Sequence, residues 1–319
     1  MKTVPDEYLG KTFEGFGPGD LPEEYSVTRG KVRDLLDLGD ELLVITTDRV
    51  SAFDRVLATI PCKGQVLNML SVYWFQETRD IIPNHLAEVI SPRTVAVKKC
   101  AVLPVEVVVR GYLTGSAWRD YRAGKTVSGI PLPPGMRFNQ RFPEPLLTPS
   151  TKAERGVHDE PISSQEILDK GLVSPAIWAR VEEAARALFS RGTELAAQRG
   201  LILVDTKYEF GLLDGELILV DEVHTPDSSR YWFSDSYEEL FEAGEKQRKL
   251  DKEYLRQWLM DRGFMGDGEI PFIPDEIRLE VARRYIEAYK ILTGEEFSLD
   301  PASGRDEREA ILQYLDQKK

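Results

Sequence analysis

The hairpin encoded between residues 201 and 222 restricts the fold of this chain more than any other segment. Successive side chains of a strand point to opposite faces. Asp205, Lys207 and Glu209 therefore share one face, and Val204, Tyr208 and Phe210 share the other. Asp214-Gly215 is a two-residue turn signal, and Leu217-Ile218-Leu219-Val220 returns as a second apolar strand ending in Asp221-Glu222. Apolar strands that carry an acid, a lysine and further acids at their ends are poorly built for packing alone. They suit a divalent cation beside a polyphosphate, because oxygen ligands suit Mg2+ and lysine supplies a point charge. A solvated face of salt bridges is the competing reading. Register decides whether the acids meet. A strict two-residue turn pairs Glu209 with Val220 and leaves Asp221 on the other face. One bulge residue, for which Gly211 is suited, sets Glu209 opposite Asp221, so the expectation is a bulged hairpin.

The rest of the chain sorts around this hairpin. Residues 25–47 read as strands, with a turn at Gly39-Asp40 between Leu35-Leu36 and Leu42-Leu43-Val44-Ile45. Further strands are expected at 94–98 and 105–109, and a helix at 65–81 stopped by Pro83. Residues 129–149 hold six prolines and read as a long irregular segment. Ser163-x-x-Glu166 is a capping-box signature, and Ser174-Pro175 opens a helix that Gly200 closes. From Tyr237 onward the apolar spacing is helical, as at Tyr254, Leu255, Trp258 and Leu259. The first 20 residues, rich in Gly, Pro and acid, read as an arm outside the core. Strands with a helix, then helices with a hairpin, then helices give an α+β fold in two lobes, not a doubly wound parallel sheet.

Composition removes several classes of function. The chain has 319 residues, 42% hydrophobic and 30% charged, which is globular material for about two domains. Lys plus Arg is 41 against 54 Asp plus Glu, a net charge of −13, so no nucleic-acid footprint is expected. No stretch reaches the roughly 18 apolar residues of a membrane span, and Met1 to Glu7 lacks the apolar run of a signal peptide. Cys62 and Cys100 read as reduced thiols of a cytoplasmic protein, and His85, His158 and His224 are too scattered for a Cys/His zinc site.

Three more clusters carry chemistry. Arg29-Gly30-Lys31-Val32-Arg33-Asp34 sets a glycine among cations, which suits phosphate, although the P-loop spacing is absent. Thr46-Thr47-Asp48-Arg49-Val50-Ser51-Ala52-Phe53-Asp54 directly follows an expected core strand, where a scaffold presents polar groups, or where Asp48 or Ser51 merely caps a helix. Val107-Val108-Val109-Arg110 ends an apolar strand in a planar cation fork, followed by Gly111, Thr114, Gly115 and Ser116.

Taken in order, these clusters resemble the phosphoribosylaminoimidazole-succinocarboxamide synthase (SAICAR synthetase) family. Glu106 to Arg110, Thr148-Pro149-Ser150-Thr151-Lys152-Ala153-Glu154 and Pro226-Asp227-Ser228-Ser229-Arg230 complete the match, which spans roughly residues 25 to 260. The prolines of 129–149 and the C-terminal helices are similar to the longer form of the family. Leu36 departs from it, standing where an aromatic is common.

The resemblance implies an ADP-forming carbon–nitrogen ligase of purine biosynthesis that joins carboxyaminoimidazole ribonucleotide (CAIR) to L-aspartate through an acyl phosphate, using ATP and Mg2+. A kinase-like small-molecule phosphotransferase is the alternative. By the same resemblance Gly30, Lys31, Arg33 and Glu106 bind ATP, and Arg110, Ser116 and Arg230 bind CAIR. Lys207 and Asp205 serve catalysis, with Glu209 and Asp221 on the metal. Asp48, Ser51, Asp54 and Lys152 are candidates for the aspartate end. Asp227 orients neighbours, and Asp251-Lys252 fits the family pattern without a role. The implied architecture has an N-terminal lobe, residues 1–112, resembling the nucleotide-binding lobe of protein kinases. A C-terminal lobe, residues 113–319, carries the metal hairpin, and the active-site cleft lies between the two. Long proline and helical segments covering possible pairing surfaces lead to the expectation of a monomer.

Overall fold

The computed structural model describes residues 6–17, 19–53, 55–152, 160–250, 253–298 and 305–318. The chain opens with a 3-10 turn, Asp6–Lys11, and strands β1 (Val27–Arg29), β2 (Arg33–Asp37) and β3 (Glu41–Thr46). A ribbon of β4 (Arg49–Ala52) and β5 (Arg55–Thr59) follows, then helix α1 (Lys63–Glu77), β6 (Leu86–Val89), β7 (Thr94–Lys98) and β8 (Ala101–Tyr112). Next come α2 (Gly115–Arg122), β9 (Arg141–Thr151), α3 (Ser164–Asp169), α4 (Pro175–Gln198), β10 (Leu201–Leu213), β11 (Glu216–Val220) and β12 (Ser229–Phe233). Helices α5 (Tyr237–Glu242), α6 (Glu253–Met260), α7 (Asp275–Thr293) and α8 (Arg305–Lys318) end the chain. The fold is α+β, as the order of patterns implies.

The local signals form as read. Gly39 takes φ 96 and Leu38 donates to the Glu41 carbonyl at 2.9 Å, closing the β2–β3 turn. Ser163 and Glu166 exchange a full capping box at the start of α3. The Ser174 hydroxyl accepts from the Ile177 N–H at 3.4 Å, with Pro175 in the first turn of α4.

The residues divide by contact into two compact units. One comprises Met1–Tyr73, His85–Lys99 and Asp251–Lys319; the other comprises Trp74–Asn84 and Cys100–Leu250. This division is not a single cut at residue 112. In the first unit the antiparallel sheet runs β1-β2-β3-β7-β6. Its core joins Leu36, Leu43, Ile45 and Ala96 of the sheet to Ile311, Tyr314 and Leu315 of α8, so the last helix returns to the unit built first. Phe13 is buried in the same cluster with Phe16 packed against it, which corrects the reading of the first 20 residues as an arm. Their apolar side chains outweigh the Gly, Pro and acid around them.

In the second unit β10 is the central strand. It pairs antiparallel with β8 along one side, and with β11 and β12 along the other, while β9 pairs with β8. Three of the six prolines, Pro143, Pro145 and Pro149, lie inside β9, so the expected irregular segment is strand from residue 141 onward. Proline lacks an N–H to donate, and an edge strand tolerates that on its open side. Val105, Val107 and Val109 of β8 are buried, and α4 packs on β8 and β10 with Phe189 against Gly111. The opposite face of these strands carries the charges.

Candidate active site

Cross-strand register assembles the charged face. Asp205, Lys207 and Glu209 of β10 stand opposite Arg110, Val108 and Glu106 of β8, and Arg230 of β12 stands opposite Asp205. The face has two ends of opposite character.

At one end Asp205 accepts from Arg110 Nη1 at 3.3 Å and lies 3.1 Å from Arg230 Nη1. Arg110 spends its other nitrogens on the Thr148 hydroxyl at 2.9 Å and the Ser116 hydroxyl at 3.1 Å. Gly115 takes φ 59, and a Cβ there would lie 2.1 Å from Arg230 Nη1, so only glycine lets that guanidinium lie over the start of α2. Burial lowers the Arg110 pKa, Asp205 opposes the shift, and Arg230 adds to it. One carboxylate between two guanidiniums leaves an excess of positive charge, the condition for binding an anion.

At the other end Lys207 Nζ lies 3.0 Å from Glu106, 3.5 Å from Asp221 and in contact with Glu209. Lys152 contacts the second oxygen of Glu209. Loss of water around the Lys207 ammonium would push its pKa down; Glu209, Asp221 and Glu106 overcome this and hold it well above the ordinary lysine value. Three carboxylates share two ammoniums here, so the excess charge is negative and suits a cation.

The expected bulge in the hairpin is absent, and this is a correction. Glu209 pairs with Val220 in an unbroken register through Leu213 opposite Glu216. The irregularity near Gly211 lies in the other ladder, between Glu209 and Gly211 against β8. Asp221 reaches the site by a different device. It sits one residue past β11 with φ 65, a left-handed conformation that aspartate tolerates better than most residues, and its carboxylate approaches the ammonium that Glu209 also holds.

The remaining candidates belong to the first unit. Gly30, Lys31 and Arg33 form the turn between β1 and β2, closed by the Gly30 N–H on the Arg33 carbonyl at 2.8 Å. Ser51 lies on β4, half-buried. Asp48 is wholly buried, and its carboxylate is taken by the Phe13 N–H at 2.8 Å, the Gly64 N–H at 2.8 Å and Arg93 at 2.7 Å. It ties three segments together, with both carboxylate oxygens bonded within the protein. Asp54 and Asp251-Lys252 lie outside the described residues. Lys152, expected at the aspartate end, is placed on Glu209, and Glu106 on Lys207.

Two residues with a part in this geometry carried no role in the sequence reading. Thr148 orients Arg110 from within the proline-rich strand. His224 is fully buried behind β10, hydrogen-bonded to the Tyr208 hydroxyl. The strict alternation of β10 signals that Tyr208 faces inward, but nothing local pairs it with His224.

A family model for SAICAR synthetase matches residues 26–269. A phosphoribosylaminoimidazole-succinocarboxamide synthase of Bacteroides thetaiotaomicron is 50% identical over 294 residues, 91% of this chain and 94% of that one. The synthase of that name from Legionella pneumophila is 48% identical over 283 residues, 86% of this chain and 90% of its own. Among solved structures, a SAICAR synthase from Saccharomyces cerevisiae complexed with SAICAR aligns with a TM-score of 0.78 at 38% identity, covering 89% of this chain and 99% of that one. A SAICAR synthetase in complex with ADP aligns at 0.66 and 27% identity, covering 86% and 100%. With the motifs in family order and half of the residues shared with a curated relative along nine-tenths of the chain, this protein belongs to the SAICAR synthetase family.

Proposed function

We propose that this chain joins carboxyaminoimidazole ribonucleotide to L-aspartate at the expense of ATP, giving SAICAR, ADP and phosphate, a carbon–nitrogen ligation of purine biosynthesis. The observation that carries the reading, beside family membership, is the two-ended face of β10, with a guanidinium pair at one end and a lysine among carboxylates at the other. A carboxylate cannot expel oxide, so the reaction needs a carboxyl phosphate, whose phosphate leaves when the aspartate amine attacks. Two anions must meet first, and the protein's work is to position and neutralise them.

Arg110 and Arg230 hold the anionic groups of CAIR, with Ser116 and Thr148 fixing Arg110 and Asp205 fixing both guanidiniums. Lys207 neutralises charge between the reacting carboxylate and the terminal phosphate, a role supported by its place among Glu106, Glu209 and Asp221. Gly30, Lys31 and Arg33 cover the phosphates. Magnesium ordinarily takes one or two protein carboxylates and completes its shell with phosphate oxygens and water. Glu209 and Asp221 fit that donor set in kind and are the residues that would hold it. When bound, the ion neutralises charge on the phosphoryl oxygens. Lys152 and Lys207 balance these acids without it.

The reading extends to a cytoplasmic monomer. Among the described residues no helix is long and apolar enough to cross a membrane. Prolines on the outer edge of β9 discourage strand-to-strand pairing of two copies. Light scattering is expected to give the chain mass, 36.2 kDa. The activity is tested by a coupled assay for ADP with each substrate omitted in turn. ADP formation should require CAIR and aspartate together. A phosphotransferase, which would release ADP without aspartate, is not favoured, and that result would establish it.

A further inference from the structure

The turn joining β1 to β2 is gripped from one side by a guanidinium. Arg49, the first residue of β4, is 3% exposed, and arginine's five N–H bonds all find acceptors here. Nε donates to the Lys31 carbonyl at 3.1 Å and Nη2 to the Gly30 carbonyl at 3.1 Å. Nη2 and Nη1 also grip the Asp34 carboxylate at 2.5 and 3.3 Å, and Nη1 donates to the Glu14 carbonyl. Asp34 is wholly buried. Thr47 takes the next carbonyl in line, Val32, through its N–H at 3.0 Å and its hydroxyl at 2.7 Å. Gly15, at φ 103, seals the ion pair, since a Cβ there would lie 2.1 Å from Asp34 Oδ2 and 2.8 Å from Arg49 Nη1.

Three consecutive carbonyls, of Gly30, Lys31 and Val32, are thereby drawn inward. The peptide bonds of the turn are trans, so the N–H following each carbonyl points the opposite way. The Lys31 and Val32 N–H groups are turned away from the guanidinium, toward the outer side of the turn. Successive backbone N–H groups in a turn make a concavity for an anion. Carbonyl oxygens on that side would repel one.

We propose that Arg49 is a positioning residue for the nucleotide phosphates: it holds the Gly30 and Lys31 carbonyls inward, beside the Val32 carbonyl held by Thr47, so that the amides of the turn face the phosphates. The proposal rests on the assignment of this turn to the ATP phosphates. Arg49 touches no phosphate itself, because its donors are all engaged within the protein. Lysine cannot replace it, since a point charge lacks the planar fork that meets three carbonyls and a carboxylate together.

The test measures binding of ADP and of adenosine by titration calorimetry, with KM for CAIR and aspartate, in Arg49→Lys, Thr47→Val and Lys31→Ala. Arg49→Lys is expected to weaken ADP at least about tenfold, with adenosine and the two KM values changed by no more than about twofold. Thr47→Val, which removes the hydroxyl's bond to the Val32 carbonyl and the one it accepts from the Arg49 N–H at 3.4 Å, should show the same pattern at about threefold. Lys31→Ala, on the turn itself, should also weaken ADP selectively. Loss of ADP binding in Lys31→Ala alone would overturn the clamp and leave the phosphate turn standing. Unchanged ADP binding in all three would overturn both. Parallel loss of ADP, adenosine and CAIR in Arg49→Lys would make Arg49 structural only and overturn the proposal. If Arg49→Lys does not fold, Thr47→Val decides by the same pattern.

Discussion

Glu106 of β8 stands directly opposite Glu209 of β10, and the ammonium of Lys207 reaches both. Like charges opposed on a sheet destabilise it. Lys207 is what lets these carboxylates share a face. Lys207→Met is expected to abolish synthesis and to lower stability by about 1–3 kcal/mol, the cost of removing the partner of a charged hydrogen bond. The freed acids should then draw a cation more strongly. In urea unfolding, magnesium should stabilise Lys207→Met more than the wild type. An equal effect on both proteins would mean that the acids do not form a cation site.

Asp221 gives a test of the chemical step. Asp221→Asn keeps the size and removes the charge from a residue held at positive φ, a conformation asparagine accepts. Turnover should fall by orders of magnitude while CAIR binding stays nearly intact, with only partial rescue by extra magnesium. Full turnover at ordinary magnesium would refute the role.

The arginine end predicts the opposite selectivity. Arg110→Ala or Arg230→Ala should weaken CAIR binding roughly tenfold to a hundredfold, because charged hydrogen bonds of this kind are worth about 1.5–3 kcal/mol, and ATP binding should change far less. Asp205 keeps one guanidinium in either variant, which limits the structural damage. Equal losses for CAIR and ATP, measured by calorimetry, would show that the arginines only support the sheet.

His224 sets an acid limit on stability. Its ring meets the Trp74 ring edge-on at 4.6 Å and sits under Gly192, and burial pushes its pKa from 6.5 down to about 3. The native ring stays neutral while the unfolded one takes up a proton below about 6.5. Its contribution is therefore whole above that pH and declines as pH falls toward about 3, by about 1.4 kcal/mol per pH unit. The slope of unfolding free energy between pH 6 and 5 should be smaller in His224→Gln by close to one proton. An unchanged slope would show that His224 titrates in the native state.

What the sequence disclosed follows from the range of the forces involved. The β2–β3 turn, the capping box at Ser163 and the alternation in β10 are local and were legible. The residues matched to the family at the arginine end do converge. Pro143, Pro145 and Pro149 misled because composition says loop, whereas an edge position leaves no N–H to be missed. Asp221 misled because a period of two assumes extended backbone, and one residue in the left-handed region breaks it. Asp48 was beyond reach. Its partners Phe13, Gly64 and Arg93 come from three distant segments, and nothing near Asp48 in the chain announces them.

The return of α8 to the first sheet has a consequence for how the chain comes off the ribosome. Leu36, Leu43 and Ile45 are made early, but the residues that cover them, Ile311, Tyr314 and Leu315, are made only after the whole second unit. Buried Glu307 similarly waits to meet the hydroxyls of Ser91 and Thr94. The second unit, by contrast, has its strands and α4 in hand once residue 250 emerges. Folding during synthesis proceeds by units as they become available. Here the first unit, begun before the second, can cover its apolar sheet only after the second has emerged and α8 has followed.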